Sequence, residues 1–498
     1  MQRSTLAVAT SFFAMLAASS ALAAVTPEEV WQNWQKLSAS YGQAMVADSV
    51  VRDGDTLVVT GMSTSMNQDG GTLEGRLEEI RFRDLGNGTV EITMSDTYPV
   101  AMTLPTNNGD VEELRITVKQ PGLKMIAGGS ATETDYQLDA PTIAFAVQAS
   151  KGGASVADIN ATLQSLIGTY KVVETGATST LDSTLKADTL MFTVAAKNGN
   201  DGFDMQGNLA GLSIASTGTF LGVAAMENMA QALRDGFASA VDFSYGAGTF
   251  TIDALNSGKP AKVVASNQSG FLSVDLAQDG MSYGAGGTGV EMTFSGAEIP
   301  FPEVKLNYGE ASFRFMMPLS ASDTPSDYSF LTRIVDLTVS DEIWGMIDPT
   351  ATLPRDPATI ILDAKGKARL TADLMDESAM KALGDQPPGE LHSLDVTNLT
   401  ARIAGAELTG AGAFTFDNSD LTTFDGVPAP TGKIDLVLKG GNGLLDKLVA
   451  MGIIPQDQAM GARMMIAMFA KPGDGQDVLN STLEFRDKGF FANGQRLK

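Results

Sequence analysis

Residues 358–374 read ATIILDAKGKARLTADL, and every even-numbered position is small or apolar: Ala358, Ile360, Leu362, Ala364, Gly366, Ala368, Leu370, Ala372 and Leu374. The positions between are mainly polar, with Thr359, Asp363, Lys365, Lys367, Arg369, Thr371 and Asp373. A period of two sends one set to each face of a strand. At about 3.3 Å per residue the segment extends roughly 55 Å, against a usual strand of about 5–6 residues. The pattern predicts a long antiparallel sheet with one apolar and one solvated face.

Most of the chain repeats this pattern. Leu57 and Val59, then Ile80 and Phe82, lead through Asn87-Gly88 into Val90, Ile92 and Met94. Val100, Met102 and Leu104 pair with Leu114, Ile116 and Val118 around Asn108-Gly109. Asx-Gly pairs are strong hairpin turns. After Leu185 the phase switches into Leu190, Phe192 and Val194, and the chain turns again at 198–202. A second phase shift near Gly405, inside the alternation of 399–416, predicts a bulge.

Helices are few. Thr26-Pro27-Glu28-Glu29 carries the signature of a capping box, and Val30, Trp34, Leu37 and Tyr41 follow at helical spacing. Trp31 lies off the centre of that face, and extra packing explains such an aromatic better than a partner surface. Met226, Met229, Ala230, Leu233 and Phe237 predict a helix over 224–240. Shorter helices are expected at 340–347 and 375–383, and two more over 444–451 and 456–469. The fold class is therefore mainly β with minor α. A long curved antiparallel sheet of hairpins carries an N-terminal helix and a few short helices packed on it. The helix at 224–240 divides a β-rich half at 24–240 from another at 241–498, or interrupts one continuous sheet.

Residues 1–23 have the form of a secretory signal peptide: Arg3, an apolar run from Leu6 to Ala18, and Ala21-Leu22-Ala23 before the cut. The expected location is exported and periplasmic, with no transmembrane span once the signal is removed. The chain has no cysteine, so burial and hydrogen bonds alone must hold it. Its net charge of −25 argues against nucleic acid and against docking on anionic lipid by charge.

Chemistry-bearing motifs are sparse. His392 is the only histidine, so neither a zinc nor a haem site is expected, nor any cofactor. Ser183-Thr184-Leu185-Lys186 matches S-x-x-K without its companion motifs. Carboxylates for a hydrolase are abundant, but the chain holds only three tryptophans to serve as sugar platforms. Asp53-Gly54-Asp55 reads as turn chemistry rather than a calcium loop. Met460, Met464, Met465 and Met468, with Ile466 and Phe469, suit an adaptable packing face better than a Cu(I) site. A third reading has that face and the sheet shelter a lipid-like ligand together.

Three passages carry a family resemblance: VTPEEVWQNWQ, IWGMIDPTATLPRDPATIILDAKGK and FANGQRLK. They resemble an uncharacterised alphaproteobacterial family of exported proteins, domain of unknown function twenty-one twenty-five, over nearly the whole mature chain. The style of chain is more distantly similar to AsmA-like envelope proteins, which implies a long sheet with an apolar groove and a part in lipid traffic. The resemblance implies no catalytic residue. The leading expectation is a non-enzymatic envelope protein that binds or escorts an apolar ligand, or an envelope protein partner. Its apolar face would include Ile360, Leu362, Leu370, Leu374, Met460, Met464 and Met468. The rivals are a scaffold with a sealed core and a carboxylate-based hydrolase. Whether the apolar face of 358–374 is covered separates the three.

Overall fold

The structure is a computed structural model that describes residues 24–68, 71–105, 111–152, 154–176 and 178–498. The signal-like segment 1–23 and the turn at Asn108-Gly109 lie outside the described residues. The chain is mainly β, and the described residues form 27 strands and six α-helices. They divide into two compact units. Unit 1 reaches to Ser269 and takes in Gly296–Glu298; unit 2 comprises Gly270–Ser295 and Ile299–Lys498. The changeover lies some 30 residues beyond the division at 240 read from the sequence.

Unit 1 opens with helix α1 (Pro27–Ser40) and short strands β1 (Ala44–Val46) and β2 (Ser49–Asp53). Then come β3 (Thr56–Gln68), β4 (Gly71–Asp84), β5 (Val90–Met94), β6 (Thr97–Pro105), β7 (Val111–Lys119) and β8 (Lys124–Gly129). The longest strands follow: β9 (Glu133–Lys151), β10 (Ala154–Thr175), β11 (Thr178–Asn198) and β12 (Asp201–Phe220). Helix α2 (Met229–Arg234), β13 (Ala238–Tyr245), β14 (Gly248–Asn256) and β15 (Lys259–Asn267) complete it. The single helix expected over 224–240 is thus a 3₁₀ turn, Val223–Glu227, followed by α2. Asn228 starts α2 by accepting the amide of Gln231, and Gly236 at φ 101° ends the helical run.

The capping box forms: the Thr26 hydroxyl accepts the Glu29 amide at 3.3 Å, and the Glu29 carboxylate accepts the Thr26 amide at 2.8 Å. From that start α1 buries Val30, Trp31, Trp34 and Leu37, so Trp31 packs rather than docks. Trp34 meets Phe82 edge-on at 5.3 Å between centroids, and its indole N–H donates to the Tyr136 hydroxyl at 3.1 Å. Beneath the helix, Phe82 opposes Ile92, Ile92 opposes Met125 and Met125 opposes Leu138 across successive strands. Directly opposed residues of an antiparallel pair share a face. Here that face is sealed.

The phase switches inside the strands of unit 1 have one cause. Ser165 (φ 53°) in β10 and Gly211 (φ 64°) in β12 lie in the left-handed region, as does Gly61 (φ 64°) in β3. Pairing resumes beyond Ser165 in unchanged register, Gln164 opposite Thr189 and Ile167 opposite Lys186. The kink nevertheless reverses which alternate residues face the core. Leu163 packs against the core before it; Leu166 is buried after it, and Ile167 points to solvent. For the L-residue Ser165 this backbone costs roughly 1–2 kcal/mol.

Unit 2 contains β16 (Ser269–Ala277), β17 (Gly280–Gly296), β18 (Val304–Met317) and β19 (Ser326–Val339), then α3 (Asp341–Ile347) and β20 (Ala358–Leu370). After α4 (Glu377–Leu383) come β21 (Gly389–Ile403), β22 (Ala406–Asp417) and β23 (Ala429–Lys439). Helices α5 (Gly441–Ala450) and α6 (Gln456–Phe469) precede β24 (Lys471–Pro472), β25 (Val478–Arg486), β26 (Gly489–Ala492) and β27 (Gln495–Arg496). Strands β17 to β23 pair in sequence order, β23 continues to β25, and β25 to β26.

The opening alternation forms β20, which stops at Leu370 rather than Leu374 because the Thr371 and Leu374 amides turn away to the carbonyls of Pro388 and Leu319. The shift expected as a bulge near Gly405 is a hairpin turn. Ala404 and Gly405, at φ 50° and 85°, form the two-residue connection between β21 and β22. The bulges lie earlier in β21, where pairing with β20 skips Thr397 and His392.

Two tests follow from these contacts. Tyr136→Phe leaves the buried Trp34 N–H without an acceptor and should cost about 1–3 kcal/mol in a urea unfolding titration. In unit 2, Lys488 and then the Thr423 hydroxyl and amide bond the Asp420 carboxylate and hold its pKa well below the carboxylate range. A lowered folded pKa contributes stability above the unfolded value, near 3.9, and that stability is lost as pH falls further. Asp420→Asn should therefore flatten the acid limb of unfolding midpoint against pH below about pH 4.

Candidate apolar binding face

The register of unit 2 lines up apolar residues across nine strands. Tyr283 opposes Phe315, Phe315 opposes Phe330, and Phe330 opposes Ala364 of β20. The row continues through Val396, Gly412, Ile434, Leu483 and Ala492. A parallel row through Leu362 joins Leu399, Gly410, Leu436 and Ser481. The next, through Ile334 and Ile360, joins Ala401, Leu408, Leu438 and Leu479. At one side Tyr283, Phe313, Phe315 and Phe330 form a connected aromatic group with centroids 5.4–6.3 Å apart.

From Lys365 onward the opposite face is solvated, whereas Thr359, at the start of β20 on that same face, is buried and accepts the Asp336 amide. Lys365 lies opposite Ser329 and Asp395, and Lys367 reaches Asp327 at 2.8 Å in an exposed pair. Arg369 and Glu390 make a part-buried bidentate pair, and that guanidinium, with His392 beside it, lowers the Glu390 pKa. Solvent screening keeps the contribution of the exposed Lys367–Asp327 pair small.

The apolar face itself is incompletely covered. In unit 1 Phe82, Ile92 and Met125 are wholly buried beneath α1. The buried apolar residues of unit 2 are mostly alanines, among them Ala364, Ala404, Ala406, Ala429 and Ala492. Tyr283, Phe315, Phe330, Val396 and Ile434 are only half-buried. Ile360, on β20, is 48% exposed. At roughly 1.5–3 kcal/mol for complete burial of a large apolar side chain, half-burial leaves a substantial part of that energy unused.

Helix α5 packs against β22 and α6 against β25. The Asp477 carboxylate accepts the amides of Asn442 (3.2 Å) and Gly443 (2.8 Å), fixing the start of α5. At the end of α6 the Phe469 carbonyl accepts the Ser481 hydroxyl and the Asn493 amide group. Ser481 belongs to the Leu362 row, so α6 meets the face at its β25 end.

The structure brings together only part of the residue set expected from sequence. Ile360, Leu362 and Leu370 share one side of β20. Leu374 lies beyond the strand. Met460, Met464 and Met468 stand on α6, against β25, which is four strand spacings, or about 19 Å, from β20. They point outward, 56%, 65% and 55% exposed, so the packing face expected there is on the other side of the helix. Ala459, wholly buried, allows close approach there, and Arg463 turns inward to the Asn442 carbonyl and Asp446.

Sequence reading missed the aromatic group. Phe313 and Phe315 were visible as alternating residues, but their meeting with Tyr283 and Phe330 depends on register. The S-x-x-K match dissolves: Ser183 shares a hydroxyl hydrogen bond with Ser216, and Lys186, three residues along a strand, faces the other side.

A family described as "Uncharacterized protein conserved in bacteria (DUF2125)" matches residues 237–494. The chain belongs to this family. The DUF2125 match begins beside β13 and includes β20, the apolar rows and α6. The VTPEEVWQNWQ passage, which forms α1, lies outside the matched residues. No curated protein and no solved structure matches the chain.

Gly461 interrupts the exposed side of α6, and a Cβ there would meet nothing within 4 Å. Gly461→Ala should therefore stabilise the protein by about 0.5–1 kcal/mol, read from its unfolding midpoint.

Proposed function

We propose that this chain is an exported, non-enzymatic envelope protein that binds or escorts an apolar, lipid-like ligand or client on the apolar face of its sheet. The observation that carries the reading is the exposure of Ile360 within continuous rows of half-buried apolar side chains. Monomers rarely leave large contiguous apolar surface in water without a use for it. The signal-like pattern of residues 1–23 supports export, and a periplasmic location follows from it. Among the described residues no helix is long and apolar enough to cross a bilayer. The strongly acidic balance favours recognition through acyl chains over recognition of anionic headgroups by charge.

The sealed core under α1 favours a second reading for unit 1 alone, in which that unit is scaffold and unit 2 is the binding element. Both readings predict that a ligand contacts β20.

Native mass spectrometry of the purified protein should show a co-purifying lipid-like mass, and fluorescent acyl probes should bind. Ile360→Glu is at a position exposed enough to fold, and removes an apolar contact worth about 1.5–3 kcal/mol when buried. It should weaken acyl-probe binding at least about tenfold, with the unfolding midpoint little changed. Absence of bound lipid together with absence of probe binding sinks the proposal.

A further inference from the structure

Packing does not explain the methionines of α6. At 3.6 residues per turn, Met460, Met464, Met465 and Met468 span an arc of about 140° on the side away from Ala459 and Ile466. Met465 is also 61% exposed, so all four thioethers stand in solvent. Met464 and Met468 are four residues apart and Met465 and Met468 three apart, which places their side chains in contact range on one turn. Three rotatable bonds let each sulfur swing towards a common point.

We propose that Met464, Met465 and Met468 form a binding site for a soft monovalent metal ion, Cu(I) or its analogue Ag(I), held by three thioethers. The donor set selects the ion. Thioether sulfur is a weak ligand for hard or borderline divalent cations and a good one for Cu(I), whose filled d shell accepts three ligands without strain. The charges around the site agree. Arg463, the one cation of α6, is drawn inward by Asp446 and the Asn442 carbonyl, and so does not oppose a cation on the outer face. Asp457 lies on the exposed side one turn ahead of Met460, and the chain as a whole carries a net charge of −25. Gly461 occupies the same side with open space around it, leaving the sulfurs unobstructed. An apolar partner would be served as well by leucine; thioether chemistry would not. The site is independent of the acyl-binding reading, because it uses the outer side of α6.

The test is anaerobic titration of the full chain into the coloured Cu(I)–bicinchoninate complex, with Ag(I) as a redox-inert competitor. The chain should withdraw about one Cu(I), Ag(I) should displace it, and X-ray absorption should show sulfur ligands alone. Met464→Leu with Met468→Leu keeps helix propensity and apolar area while removing two sulfurs. It should lower Cu(I) affinity at least about tenfold, with the helical circular dichroism unchanged. The proposal is overturned if the unaltered chain withdraws no Cu(I), if the double variant withdraws it as well as the parent, or if His392→Ala abolishes binding. Self-association of the parent that survives the leucine substitutions, without metal uptake, would assign the face to a second copy instead.

Discussion

Direct opposition across an antiparallel ladder is the constraint from which this molecule is built. It forces residues on neighbouring strands to share a face, so an apolar residue on one strand demands an apolar neighbour on the next. Across β17 to β26 that demand is met in every position of the Ala364 row. The two units then treat the resulting surface differently. In unit 1 the tryptophans of α1 close the part beneath the helix, with a hydrogen bond between Trp34 and Tyr136 tying helix to sheet, while Ile159 and Phe203 farther along β10 and β12 are 38% and 39% exposed. In unit 2 the helices α5 and α6 pack on β22 and β25, and Ile360 on β20 stays exposed.

Long strands bring a second constraint, because a regular pleat must hold its phase over many residues. Unit 1 does not hold it, and need not. A left-handed residue at Gly61, Ser165 or Gly211 reverses the alternation while the ladder keeps its register. Two of these are glycines, for which the conformation carries no Cβ clash. Unit 2 uses Gly289 and Asp336 in the same conformation. Such kinks let a sequence change phase, keeping Leu166 in the core while Ile167 turns to solvent.

Much of this was legible in the residues. Alternation announced β20, Thr26 to Glu29 announced the start of α1, and Asn87-Gly88 and the turn at 198–202 announced hairpins. The phase switch after Leu185 was visible, but its cause was not, since the left-handed residues lie on the flanking strands, at Ser165 and Gly211. The shift at Gly405 looked like a bulge because a bulge and a two-residue turn both reverse an alternation. Only pairing tells them apart. The orientation of α6 was hidden for a different reason. Hydrophobicity favours methionine inside, whereas close approach to neighbouring backbone favours alanine, and at Ala459 close approach prevails. The aromatic group of Tyr283, Phe313, Phe315 and Phe330 required long-range register, which no local pattern carries.

The composition of the open face bears on what it can do. Its centre mixes the small residues Ala364, Gly412, Gly410 and Ala401 with Leu362, Val396, Leu399 and Leu408, with aromatic rings towards β17 and Phe485 and Phe490 towards β26. Glycine and alanine have no rotamers to lose when a ligand settles on them, whereas long side chains forfeit up to about 1.5–2 kcal/mol each on being fixed. On the proposed function, the small residues among these rows would lower the entropic cost of seating an apolar chain. The same residues explain why unit 2 buries so little. Small side chains cannot fill a core, so a sealed interior would need a covering element packed close to the backbone, as α1 packs in unit 1. Among the described residues no such element lies over Ile360, which is 48% exposed.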